Sequence, residues 1–170
     1  MKRIYALLLT AVIFTACDDW LDINKDPNNP VDVTPDRVLP AAQVQTAFIL
    51  GKDLNLQTLA IMQHLAGTNN QLLSYDTYFF NGTEADNVWL SIFSGALLDL
   101  KRIEQMAESN QDVFFGAIAK IQSAYLFGIA TDLYGDIPFS ESLQDIDIVA
   151  PSFDTQEQIY NGLLARLDEA

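Results

Sequence analysis

The stretch AIAKIQSAYLFGIATDLYGDIP, Ala117 to Pro138, decides the fold class. From Ile121 to Thr131 it carries no charge, and its polar residues are Gln122, Ser123 and Thr131. Ala117, Ala124, Gly128 and Thr131 are spaced by 7, 4 and 3, which puts small residues on one helical stripe. Ile118, Tyr125, Ile129 and Leu133 form a second stripe, of large residues. A helix apolar on most sides is expected to be wrapped by other helices, its small stripe admitting one close neighbour. Tyr134-Gly135-Asp136-Ile137-Pro138 then ends it, because Gly135 suits the left-handed C′ position and Pro138 cannot continue a helix. The chain reads as all-α, built around this helix.

The flanking sequence supplies its neighbours. Thr34-Pro35-Asp36 is a helix start, with Thr34 as N-cap, and Pro40 offers a second start. Ala41 to Leu50 and Leu54 to Ala66 follow as helices, with a bend at Gly51-Lys52-Asp53. Another helix runs from Thr83 or Glu84 to about Ser109, with Val88, Trp89, Ile92, Phe93, Ala96, Leu97, Leu100, Ile103 and Met106 inward. The polar turn Ser109–Asp112 makes it an antiparallel hairpin with the central helix. Hairpins of this size are the unit of a tetratricopeptide-like stack, although the full repeat signature is not legible. Thr155 or Asp154 caps a last helix that turns Ile159, Tyr160, Leu163, Leu164 and Leu167 inward. Its end, Asp168-Glu169-Ala170, sets acids against the helix dipole without a Gly or Asn cap, so the chain reads as cut off.

Residues 1–16 are expected to be a signal peptide and no part of the fold. Lys2 and Arg3 form a basic start, Ile4 to Phe14 an apolar run too short to span a bilayer, and Thr15-Ala16 a small pair. The next residue, Cys17, is the one cysteine in the chain and sits where bacterial lipoproteins place their acylated cysteine, although Phe14 is bulkier than the usual residue there. Acylation also explains a lone thiol in an exported protein. Cys17 to Pro35 holds three prolines, three asparagines and five aspartates, which suits an extended tether with Trp20, Leu21 and Ile23 docking it. Removal of Lys2 and Arg3 takes the formal charge from −14 to −16. That excludes nucleic acid and charge-driven binding to acidic membranes, leaving the lipid on Cys17 as the membrane contact.

Gly67 to Thr83, GTNNQLLSYDTYFFNGT, reads as a long loop. It brings Asn69, Asn70 and Gln71 together with Tyr75, Tyr78, Phe79 and Phe80 and closes on an Asn81-Gly82 turn. Planar amides beside aromatic faces suit sugar rings, which carry hydroxyls at the edge and apolar C–H faces. The competing reading is that these aromatics cap helix ends. Trp89 is near enough in sequence to join the platform, but its place on a helical apolar stripe favours core packing. His64, the one histidine, is expected at a helix C-terminus, with no second imidazole to share a metal. Asp132 to Glu157 carries seven acids and no Lys or Arg, without the alternation of a calcium loop, and reads as a solvated acidic segment. No nucleophile elbow, phosphate loop, zinc motif or singled-out carboxylate pair appears, and nothing calls for a cofactor.

Tyr134-Gly135-Asp136-Ile137-Pro138, Ile159-Tyr160 and Leu167-Asp168-Glu169-Ala170, combined with the signal and the helices, resemble a SusD/RagB-like nutrient-binding outer-membrane lipoprotein. The resemblance runs from Cys17-Asp18-Asp19-Trp20-Leu21-Asp22 to Ala170, and takes in Leu50 to Tyr78 and Trp89 to Leu100. It implies that residues 36–170 are the N-terminal part of a longer domain. It further implies a surface-exposed lipoprotein that captures glycans or peptides as a hinged lid over a SusC-like TonB-dependent transporter. A lipid-anchored helical scaffold for protein partners and a surface glycoside hydrolase are the alternatives. The aromatic-amide loop disfavours the first, and the lack of a catalytic set disfavours the second. Ligand contacts are expected from Asn70, Tyr75, Tyr78 and Phe79.

Cys17 should be the mature N-terminus and should carry acyl chains. Mass spectrometry of the membrane fraction is expected to find lipid on Cys17, and a soluble product starting elsewhere would refute the assignment.

Overall fold

The structure, a computed structural model, describes residues 33–83, 85–144 and 148–170. Cys17 and almost all of the expected tether lie outside the described residues. Helix α1 spans Pro35–Gly51 with Pro35 in its first turn. Thr34 stands at the N-cap position, yet its side chain makes no cap bond; its carbonyl accepts from the amides of Arg37 and Val38 instead. Pro40 starts no second helix and lies within α1. The bend falls at Lys52, whose φ of −112° and ψ of −102° separate α1 from α2, Asp53–Ile61. The reading to Ala66 overshoots: Gln63 turns to positive φ, and His64 lies exposed beyond the helix end. Inside the supposed loop a further short helix, α3, spans Asn70–Asp76.

The next rod is continuous: α4 (Asp86–Leu90), a π-helical stretch (Ser91–Ala96) and α5 (Leu97–Asn110). Its buried residues explain the wide turn. Val88, Ile92, Ala96 and Leu100 recur every four residues, all of them buried. Three such steps overshoot a 3.6-residue turn by about one residue in total, and an i→i+5 turn absorbs it. Gly95, within that turn, faces α1, where a Cβ would stand 3.3 Å from the Gln45 side chain.

Gln111, at φ 56°, turns the chain, and Asp112 caps α6, Val113–Tyr134, by accepting from the Phe115 amide. Helix α6 lies antiparallel to α5 as the sequence implies. Helix α7, Gln156–Asp168, starts with a capping box between Thr155 and Gln158. It also runs antiparallel to α6, since Gly128 meets Leu163, Ser123 bonds Arg166 and Lys120 pairs with Glu169. The described residues are helical with no strand; their one bridge joins Ile137 to Asp154.

The small residues of α6 serve both neighbours. Ala119, Ser123, Ala124, Ala130 and Thr131 are buried. Cβ atoms added at Gly116 and Gly128 would each stand 3.6 Å from a side-chain carbon, of Ala107 on α5 and Leu163 on α7 respectively. The stripe of large residues behaves differently from the expectation. Ile118, Tyr125 and Leu133 are exposed, with Phe114 and Ile121 beside them, so this face of α6 is uncovered among the described residues. On α7 only Ile159 and Leu163 are buried, while Tyr160, Leu164 and Leu167 are exposed. By length and composition α6 would cross a membrane, but its inner face belongs to a packed core.

The stop of α6 depends on Gly135. Its φ of 77° with ψ of −120° lies in the mirror-β region rather than the left-handed helical one, ground open to glycine. Its amide bonds the Thr131 carbonyl at 2.8 Å, and the Thr131 hydroxyl donates to the Gly135 carbonyl at 2.7 Å. Gly135→Val should cost about 1–3 kcal/mol by forcing a β-branched residue to positive φ. Thermal unfolding is expected to fall by at least about 3 °C; an unchanged midpoint would show that this conformation is not held.

Candidate functional site

The aromatic segment is built around Tyr75. It is 3% exposed, and its hydroxyl accepts from Gln57 Nε2 at 3.2 Å and Gln71 Nε2 at 2.5 Å. Phe80 stacks on it at 5.5 Å and 17°. Tyr75 therefore presents no ring face outward, contrary to the expectation that it stacks on a ligand; it positions its neighbours. Gly67 is equally structural, because a Cβ there would fall 2.1 Å from the Leu72 carbonyl oxygen. Only glycine lets the chain pass so close to the first turn of α3.

Past α3 the chain reverses at Tyr78, φ 57°, a conformation uncommon for an aromatic residue. Two bonds hold the reversal: the Phe79 amide donates to the Ser74 carbonyl at 2.8 Å, and the Tyr78 hydroxyl to the Ile61 carbonyl at 2.8 Å. Phe80 turns back to Tyr75, whereas Tyr78 and Phe79 stay 56% and 70% exposed. Asn70 opens α3 at φ 53° with an exposed side chain, and Asn69 accepts the Asn70 amide at 2.7 Å. The seven residues of α3, at 1.5 Å each, separate Asn70 from Tyr78 and Phe79 by about 10 Å. The segment thus offers two exposed aromatic side chains at one end of α3, that of Tyr78 tied down through its hydroxyl, and an amide at the other.

Trp89 takes no part in this platform. It packs with Phe93 at 4.3 Å and edge-on to Tyr134 at 5.1 Å. Phe93 meets Phe127 at 6.1 Å, and Phe127 meets Phe139 at 5.0 Å, giving a ladder of rings that joins α4 to the segment after α6. Phe139 also explains Gly162, since a Cβ there would lie 2.4 Å from its ring. Burial, helped by the charge of Asp86, raises the Tyr134 hydroxyl above its ordinary pKa, and that hydroxyl donates to the Ala85 carbonyl at 2.9 Å.

The acids between α6 and α7 are not merely solvated. Asp154 accepts from the amides of Phe139 at 3.0 Å and Ser140 at 2.7 Å, and from the Ser140 hydroxyl. Glu141 accepts from the Ser152 amide and hydroxyl, both at 2.8 Å, and Asp136 from the Gln156 amide at 3.0 Å. The carboxylates of Asp136, Glu141 and Asp154 staple a segment that has no ladder of its own, while Asp132, within the last turn of α6, accepts the Tyr160 hydroxyl of α7 at 2.6 Å. Among the described residues no three His, Cys, Asp or Glu side chains are grouped to hold a metal ion.

Residues 27–170 match the profile of a SusD-like family described as starch-binding and associating with the outer membrane. This chain belongs to that SusD-like family. A SusD/RagB family protein from Bacteroides thetaiotaomicron VPI-5482, known from a 1.75 Å crystal structure, has the same fold: TM-score 0.69, 24% identity and 81% of this chain covered. This SusD-like chain spans 30% of that protein's length. Among curated proteins there is no match.

The sequence reading of this SusD-like chain missed the carboxylate staples and the close approaches at Gly67 and Gly162. The one available signal for the staples was a Ser or Thr beside each of Glu141 and Asp154. Burial pushes Asp154 up, but the hydrogen bonds from Ser140 and the Phe139 amide together outweigh it and hold the carboxyl below its ordinary value. A depressed folded pKa stabilises above the unfolded value of about 3.9 and is lost as pH falls through the folded one. Exchange protection of the Phe139 and Ser140 amides should hold at neutral pH and fade below about pH 4. Asp154→Ala should abolish about tenfold of it at neutral pH, from about 1–3 kcal/mol per orphaned donor; equal protection in the variant would refute the staple.

Proposed function

We propose that this protein is a cell-surface lipoprotein that captures neutral glycans and passes them to a SusC-like TonB-dependent outer-membrane transporter, with the lipid on Cys17 as its anchor. The observation that carries the reading is the pair Tyr78 and Phe79, held exposed by a hydrogen-bonded reversal on a helical SusD-like scaffold. Binding residues tend to sit on such loops over rigid frames. In this reading the protein binds and does not catalyse, and residues 36–170 are the N-terminal part of a longer, tetratricopeptide-like domain. The uncovered faces of α6 and α7 then receive the rest of that domain.

The chemistry of capture follows from the geometry. Tyr78 and Phe79 stack on sugar C–H faces; Tyr78 loses little side-chain entropy, because its hydroxyl is already bonded to the Ile61 carbonyl, and the backbone that carries Phe79 is held by its amide. Asn70 bonds hydroxyls at the far end of α3, so a ligand that touches both ends extends beyond a single ring. Asp76 lies within the segment, Asp86 follows it in sequence, and the whole chain carries −14, which favours a neutral glycan over an acidic one at this loop. Tyr75 keeps the platform in place without touching the ligand.

An aromatic face covering roughly 60 Å² of apolar sugar surface is worth about 1.5 kcal/mol, or about tenfold in affinity. Tyr78→Ala and Phe79→Ala in the full-length protein should each weaken binding of a neutral oligosaccharide such as a maltooligosaccharide by about that factor. Calorimetric titration checks it. Unchanged affinity for a ligand that the parent binds would make this segment structural and place the site elsewhere.

A further inference from the structure

We propose that the cleft between α1, α4 and the start of the π-helical stretch binds the acetamido group of a neutral N-acetylhexosamine, with the sugar ring lying on Phe48. The inference rests on the glycan-binding reading for its class of ligand, and not on the aromatic loop for its site. The cleft encloses about 210 Å³. Small-molecule sites run to about 300–1,000 Å³, so this one takes a substituent and a ring edge and no oligomer. Helix α1 contributes Gln45, Phe48 and Ile49, α4 contributes Asn87 and Val88, and Ser91 opens the π-helical stretch beside them. Lys52, at the bend after α1, also lines it.

Unspent polar groups set this cleft apart. Several polar side chains elsewhere are used internally: Gln57 and Gln71 bond Tyr75, Arg166 bonds Ser123, and Ser140 bonds Asp154. In this cleft the side chains of Gln45, Lys52, Asn87 and Ser91 form no hydrogen bond or ion pair among the described residues. Four groups able to bond therefore converge on one small concavity and leave their bonding capacity to whatever enters it. Gly95 keeps room for one of them. A Cβ there would stand 3.3 Å from Gln45 Cγ and 3.4 Å from its Nε2, so only the missing side chain lets the amide lie where it does without crowding.

The wall fits an acetamido group. Gln45 and Asn87 each offer an amide donor and an amide acceptor, which match the N–H and C=O of an N-acetyl substituent. The Ser91 hydroxyl and the Lys52 ammonium remain for ring hydroxyls. Ile49 and Val88 are buried and give a small apolar floor for the acetyl methyl. Phe48 lines the cleft and is still 61% exposed, which leaves an aromatic face for ring C–H groups. An apolar occupant would leave the four polar side chains desolvated without partners. An anion gains little, because Asp53 follows Lys52 and Asp86 precedes Asn87 in the sequence. A plain glucan has no acetamido group and leaves the cleft unfilled.

The test records saturation-transfer NMR from the full-length protein to N-acetylglucosamine and, separately, to glucose, with Tyr78→Ala and Phe79→Ala introduced together to silence the loop. N-acetylglucosamine should receive saturable transfer, strongest at its acetyl methyl, and glucose at equal concentration should receive little. In that background Asn87→Ala should weaken N-acetylglucosamine about fivefold and Phe48→Ala about tenfold, with unchanged circular dichroism. Absence of transfer to N-acetylglucosamine, an equal response to glucose, or undiminished affinity in either folded variant would overturn the proposal. Each of these outcomes leaves the reading of Tyr78 and Phe79 standing, because that reading is tested by its own substitutions in the parent. The comparison of the two sugars decides the matter even if a cleft variant fails to fold.

Discussion

The described structure depends on α6 being approached closely along two flanks at once. Gly116 lies against Ala107 of α5 and Gly128 against Leu163 of α7, with Ala119, Ser123, Ala124 and Ala130 buried. Close approach brings many weak dispersion contacts into range together; at Gly116 and Gly128 a methyl group would still meet its neighbour at an ordinary 3.6 Å, so it is side chains larger than alanine's that would push a helix away. It also brings Glu104 of α5, Ser123 of α6 and Arg166 of α7 into one polar cluster. The ring ladder from Trp89 to Phe139 continues the core where the small residues stop.

What the sequence made legible was whatever repeats with the helical period. The α6 stripe, the α5–α6 hairpin, the Lys52 bend and the Thr155 cap all follow from spacing and capping chemistry. The failures have a common cause. Apolarity tells what a side chain would gain from burial, not whether a partner is present, so Ile118 and Tyr125 read as core residues and yet are exposed. Gly162 and Gly67 look like ordinary glycines until Phe139 and Leu72 are seen against them.

The candidate site shows the same limit in a smaller space. Tyr75 and Tyr78 are three residues apart and identical in kind, yet one is 3% and the other 56% exposed. Composition singled out the segment; the hydrogen bonds from Gln57 and Gln71 decide which ring faces inward. The carboxylates between α6 and α7 were legible as charge and illegible as staples, because their donors are backbone amides from elsewhere in the segment.

The central claim is that a helical scaffold holds Tyr78 and Phe79 ready for a glycan. Hydrogen exchange across the full-length protein, with and without a saturating neutral oligosaccharide, tests it most directly. The account predicts added protection confined to peptides covering residues 69–81, with little change in α5 and α6. Protection that appears only outside that segment, with residues 69–81 exchanging as in the free protein, would contradict it.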